Sequence, residues 1–128
     1  MKSWKKLRLS DCMKGKKRSY LIYLQDMLDA MYRIQTYIQD LNFNEFKNSN
    51  ITVDAVIRNL EVIGEAANQV PDEVKEKYSD LPWKQMYALR NFVIHEYFGI
   101  DYENIWKIIT TDLTRNIKDL ERIIDAEQ

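Results

Sequence analysis

Apolar residues recur at spacings of three and four along most of this chain, and that period predicts helices from one end to the other. Between Tyr20 and Leu41 the repeat runs Leu24, Met27, Leu28, Met31, Ile34, Ile38 and Leu41, one face of an amphipathic helix. Asp26, Asp29, Arg33, Gln35 and Asp40 fall mostly off that face. The asparagine-rich run 42–50 interrupts the pattern and reads as a loop, with Phe43 and Phe46 expected to fold back onto the core. A second helix is predicted from Thr52 to Asn68, with Val53, Val56, Ile57, Leu60, Ile63, Gly64 and Ala67 facing inward. A glycine inside a helix costs up to about 1 kcal/mol relative to alanine. Gly64 therefore predicts a close approach by a neighbouring helix, and Ala66 and Ala67 point the same way. Pro71 ends this helix, because proline disfavours helical geometry in the residue before it.

A short polar helix is expected from Pro71 to Tyr78. The next opens at Leu81-Pro82-Trp83 and carries Trp83, Met86, Tyr87, Arg90, Val93, Ile94 and Tyr97 to a stop at Gly99. Asp101 is placed to cap the last helix. That helix repeats Tyr102, Ile105, Trp106, Ile109, Leu113, Ile117, Leu120 and Ile124. No segment alternates with period two over a useful length. The fold expectation is an all-α, up-and-down bundle of four principal helices and one short helix.

Composition agrees with that pattern: three glycines and two prolines in 128 residues are too few for a turn-rich β protein. No apolar run approaches the ~18 residues of a membrane span. Cys12 is alone, so it forms no intramolecular disulfide, and a reducing, cytoplasmic setting is expected. Charge changes the picture more. Residues 1–18 carry eight basic side chains and one acid, whereas the remainder is strongly acidic. The chain thus divides into a basic arm, 1–18, and a single helical domain, 19–128. Such an arm fits an anionic partner, self-docking or a solvated terminus.

The candidate chemistry is concentrated in 89–98, which holds the only histidine of the chain. Arg90, Asn91, His95, Glu96 and Tyr97 sit there among residues apolar enough for a core. On a regular helix, Arg90 and His95 are five apart and diverge by about 140°. Uniting them on one substrate requires side-chain reach, a distortion of the helix, or a second copy of it. The residue types suit phosphate chemistry. A permanently charged arginine binds and stabilises phosphate, and a histidine exchanges protons near neutral pH. Cleaving RNA without a metal takes both a base for the 2′-hydroxyl and an acid for the leaving 5′-oxygen. One histidine cannot fill both roles in one step, but a two-fold dimer supplies two.

The run Arg90-Asn91-Phe92-Val93-Ile94-His95-Glu96-Tyr97 resembles the signature of the HEPN superfamily, specifically its HepT-like toxins. Asp26-Met27-Leu28-Asp29-Ala30, the run Arg58 to Ala67 and the Leu81-Pro82-Trp83 lead-in carry the resemblance across about residues 20–125. It implies a homodimeric, metal-independent endoribonuclease, the toxin of a type VII-like toxin–antitoxin pair, with Arg90 and His95 of both chains in one cleft. Asn91 matches the supporting polar residue. Tyr97 matches the tyrosine that a small nucleotidyltransferase antitoxin, of the MntA type, adenylylates. The added phosphate would place negative charge where RNA phosphate binds. No cofactor or metal is implied, and the remaining alternative is a non-catalytic helical module that docks a nucleotidyltransferase or a nucleotide.

Plainer roles stand beside these. His95 at a helix end would serve as a stabilising cation worth about 0.3–1 kcal/mol. Arg90 would pair with Glu61, Glu65 or Glu96. Tyr97 would sit at the edge of the core. Trp83 and Trp106 read as packing anchors. Glu61 and Glu65, with no histidine near in sequence, make a poor metal site.

Overall fold

The computed structural model describes the backbone of residues 9–91 and 99–128, and side chains from residue 20 onward within those ranges. Helix α1 spans Leu9–Ile38, α2 Phe43–Asn48, α3 Asn50–Gln69, α4 Asp72–Lys77 and α5 Trp83–Ala88. Helix α6, Tyr102–Lys107, runs through one π-helical stretch, Ile108–Asp112, into α7, Leu113–Glu127. The fold is all-α, and no strand occurs among the described residues. None of the described helices is long and apolar enough to cross a membrane.

The apolar stripes do what their spacing predicts. Leu24, Met27, Met31 and Ile34 of α1 are fully buried against Val56, Leu60, Ile63 and Ala67 of α3, and this pair makes the most extensive helix–helix contact. The far side of α1 is covered by α7 through Leu113, Leu120 and Ile123. Ile38 and Leu41, at the fraying end of the stripe, are only partly buried. Each fully buried side chain of this size removes enough apolar surface to contribute ~1.5–3 kcal/mol, before the entropy of ordering it.

Two boundaries differ from expectation. Helix α1 is already formed at Leu9, the first described residue, well ahead of the start expected near Tyr20. Lysine, arginine, leucine and methionine are good helix formers, and continuity with the packed half extends the helix backwards. The run 42–50 also contains helix α2, and among the described residues α2, α4, α5 and α6 are each six residues long. The local cause of α2 is a capping box: Asn42 Oδ1 accepts from the Glu45 N–H at 2.8 Å, and Glu45 Oε1 accepts from the Asn42 N–H at 3.0 Å. Helix α2 turns Phe46 fully into the core. There its ring lies 5.2 Å from Trp106, with Phe43 at 6.1 Å from the same indole. Trp106 is thus a packing anchor, as is Trp83, which is buried and donates Nε1–H to the Tyr78 carbonyl at 3.0 Å.

Asp101 caps α6 as expected, its Oδ1 accepting from the Asn104 N–H at 3.1 Å. Gly99, at φ +97°, takes the left-handed conformation suited to the entry of this segment. The last helical run is not uniform. In the π stretch the turn is wider than in an α-helix, which resets the face that the following residues present.

Candidate functional site around Arg90

Arg90 sits just beyond the end of α5, and the geometry of that end is set by Gly64. A Cβ placed on Gly64 would lie 2.8 Å from the Arg90 backbone nitrogen and 3.0 Å from the Tyr87 carbonyl oxygen. The absence of a side chain at residue 64 therefore lets the backbone of one helix rest directly on the other. Gly64 is the predicted close approach, and Arg90 is what it approaches.

The helix changes character at the same point. The Leu89 N–H donates to the Met86 carbonyl at 3.1 Å and the Arg90 N–H to the Tyr87 carbonyl at 3.3 Å. Both bonds reach three residues back, where a regular α-helix reaches four. The expected uninterrupted helix from Trp83 is thus tightened at Leu89–Arg90. His95, Glu96 and Tyr97 lie outside the described residues.

The Arg90 side chain is held at three points. Its Nε is 3.2 Å from Glu65 Oε1, its Nη1 donates to the Tyr87 hydroxyl at 3.1 Å, and its guanidinium carbon lies 5.1 Å from the centroid of the Tyr87 ring. The pair is not a strong stabilising contact, since its side chains are 34% and 48% exposed. Its effect is orientation: a charge that is always present is fixed at the helix end, its side chain still about a third exposed.

Of the carboxylates proposed as partners, Glu65 takes the role. Glu61 turns to Arg58 instead, at 3.2 Å. Tyr87 was not singled out from the sequence as an Arg90 partner, although its spacing of three placed it on the same face. Asn91 follows Arg90 in an exposed position. On the α3 side a groove lined by Tyr23, Asp26, Arg58, Glu61, Glu65 and Gln69 borders the arginine. Three acids against one arginine make that groove unfavourable for a phosphate backbone.

A second cluster escaped the sequence reading altogether. Glu127 in the last turn of α7 is buried and receives the Tyr20 hydroxyl at 2.5 Å, the Tyr78 hydroxyl at 2.5 Å and Lys77 Nζ at 2.8 Å. Lys77, then the two tyrosine hydroxyls, hold its carboxyl well below the usual range, at about 2. Burial first, and then the Glu127 carboxylate, push Tyr20 up to about 12. Tyr78 is raised chiefly by its hydrogen bond to Glu127. This cluster ties α1, α4 and α7 together and is a stabilising feature, remote in sequence from Arg90.

Residues 27–126 match the sequence profile of a family described as ribonuclease HepT-like. Over 108 residues the chain is 44% identical to a Methanocaldococcus jannaschii protein described as "Putative RNase", spanning 84% of this chain and 89% of that protein. A second protein of the same organism and description is 41% identical over 105 residues, 82% of this chain and 96% of its own length. A Thermococcus cleftensis protein named "Probable ribonuclease HepT" is 37% identical over 97 residues, 76% of this chain and 88% of that one. No solved structure matches the chain.

Proposed function

The chain belongs to the HepT-like ribonuclease family, and on that footing we propose that it is a toxin that cleaves RNA without a metal at a site shared by two copies. The observation that carries this reading is the placement of Arg90, seated on Gly64 and oriented by Glu65 and Tyr87. An arginine so held binds a scissile phosphate and stabilises the negative charge that grows on it as the 2′-oxygen attacks. His95 supplies the proton transfer, taking the 2′-hydroxyl proton in one copy and giving one to the leaving 5′-oxygen in the other. Asn91 supports the pair. Dimerisation follows from the need for two proton-transfer groups.

Tyr97, two residues past His95, is the proposed point of control. Adenylylation by a partner nucleotidyltransferase would add bulk and negative charge where RNA phosphate is proposed to bind, and both oppose RNA. The setting proposed for such a pair is the cytoplasm.

The test is RNA cleavage in excess chelator by the purified protein and by His95→Ala. Wild-type activity is expected to persist in chelator, and the variant to lose ~10²–10⁴-fold. Equal activity of the two proteins would end the assignment. A non-catalytic docking module is recognised by its failure to arrest growth when induced alone, with Arg90→Ala making no difference.

The hold on Arg90 is separately measurable. Glu65→Ala is expected to change stability by under about 1 kcal/mol, because the pair is half exposed. It should lower cleavage by roughly tenfold through a loosened guanidinium. Glu65→Gln keeps an acceptor for Nε and should recover most of the rate, as read from steady-state kinetics beside a urea denaturation curve.

A further inference from the structure

The basic stretch ahead of Tyr20 takes no part in the site around Arg90, yet it holds much of the positive charge of the chain. Of 19 basic and 20 acidic side chains, residues 1–18 hold eight and one. Residues 19–128 therefore carry eleven and nineteen, a net charge of −8. Three of those acids, Asp26, Glu61 and Glu65, line the groove that borders Arg90. A body of that sign repels a polyanion. Affinity for nucleic acid comes largely from neutralising phosphates, so a ribonuclease with an acidic body needs cations elsewhere. The family profile begins at residue 27, and the basic stretch lies ahead of it.

The backbone makes this stretch an extension of a core helix. Helix α1 is one unbroken element of 30 residues, Leu9–Ile38. The Tyr20 hydroxyl, bound to Glu127, fixes it to α7 where the basic stretch begins. From Tyr20 back to Leu9 the helix runs about 16 Å. Lys14 and Arg18, four apart, share a face, and the same register leads on to Ile22 and Gln25. Ile22 is 58% exposed and Gln25 is exposed too, so this is the side of α1 that α3 and α7 leave uncovered. Arg18 is five positions before Tyr23, which lines the groove together with Glu65. That spacing sets it about 8 Å along the helix axis from the groove beside Arg90.

We propose that the N-terminal part of α1 is a second RNA-binding element, in which Lys14, Lys16, Lys17 and Arg18 neutralise phosphates of a strand held for cleavage at Arg90. The proposal rests on RNA being the substrate. Contacts of this kind carry no sequence information and raise affinity and association rate for any strand. Helical backbone favours them, because the cations are not strung on a coil that has to be ordered on binding. An anionic membrane is the other surface that attracts a basic helix. Between Leu9 and Ser19 only Leu9, Cys12 and Met13 are apolar, too few for a helix that buries one face among lipids.

The test is binding of a single-stranded 2′-O-methyl RNA, which lacks the attacking hydroxyl, followed by fluorescence anisotropy across a range of salt. Lys14→Gln, Lys16→Gln, Lys17→Gln and Arg18→Gln are combined in the full chain, since glutamine is about as good a helix former as the residues it replaces. Each phosphate contact to a single strand adds about 0.7 to the steepness of log affinity against log salt. With melting temperatures matched, the combined variant is expected to flatten that slope by about 1–3. It should bind at least tenfold more weakly at about 0.1 M salt and converge with wild type toward about 1 M. Lys14→Arg, Lys16→Arg and Lys17→Arg together keep the charge and should bind as wild type does.

Unchanged affinity and slope in the glutamine variant, or weakened binding in the arginine variant, would overturn the element. So would loss of binding to phosphatidylserine-rich vesicles with RNA binding intact, which would assign the stretch to a membrane. Because binding is read on a strand that cannot be cut, a failed His95→Ala test would remove the catalytic roles and leave this result standing on its own.

Discussion

Gly64→Ala is expected to destabilise the protein by about 1–3 kcal/mol and to abolish most RNA cleavage, although alanine is the better helix former. At an unobstructed helical site the same exchange would stabilise by up to about 1 kcal/mol. Here the new methyl meets the Arg90 nitrogen at 2.8 Å and the Tyr87 carbonyl at 3.0 Å. These are backbone atoms, with no rotamer to escape into, so α5 must move away from α3. The displaced element carries Arg90 and its Tyr87 partner, and a shift of about 1 Å at such a group costs on the order of 10² in rate. Thermal melting and RNA cleavage measured on the same preparation check both halves. A melting temperature equal to or above wild type would refute the close-contact argument. Loss of stability with full activity would separate Gly64 from the site.

The second large effect concerns acid. The Glu127 carboxyl, at about 2 in the folded protein against an ordinary 4.5, is favoured in its charged form by folding. Its contribution is therefore fully present above pH ~4.5 and is lost as the pH falls through about 2. At ~1.4 kcal/mol per unit the depression corresponds to roughly 2–3 kcal/mol, taken at the lower side because Lys77 is exposed and its attraction screened. Glu127→Gln should lower stability at neutral pH by that amount and flatten the acid limb, so the two proteins converge near pH 2. Unfolding free energies from urea titrations between pH 7 and 2 measure it. Parallel curves would show that Glu127 does not supply the acid dependence.

The alkaline limb has the opposite sign. Tyr20, raised to about 12, favours folding while it stays protonated. That contribution is complete below pH 10 and disappears as the pH rises through about 12.

The order of the helices, their buried faces, the cap at Asp101 and the close approach at Gly64 were legible in the amino-acid sequence. All of these follow from interactions within a few residues or from one apolar period, and such signals need no knowledge of the partner helix. The capping box of α2 was equally local, in Asn42 and Glu45, but was masked by the loop-like composition around it. The sequence also determined the family, because the run through Arg90 is supported by a long match elsewhere in the chain. It left open which acid meets Arg90, which backbone meets Gly64, and that Glu127 is a buried junction rather than a solvated terminal charge. Glu127 and Tyr20 are 107 positions apart, and nothing along the chain couples them before α1 and α7 are packed together. Local order sets which residues share a face, and packing alone decides what that face touches.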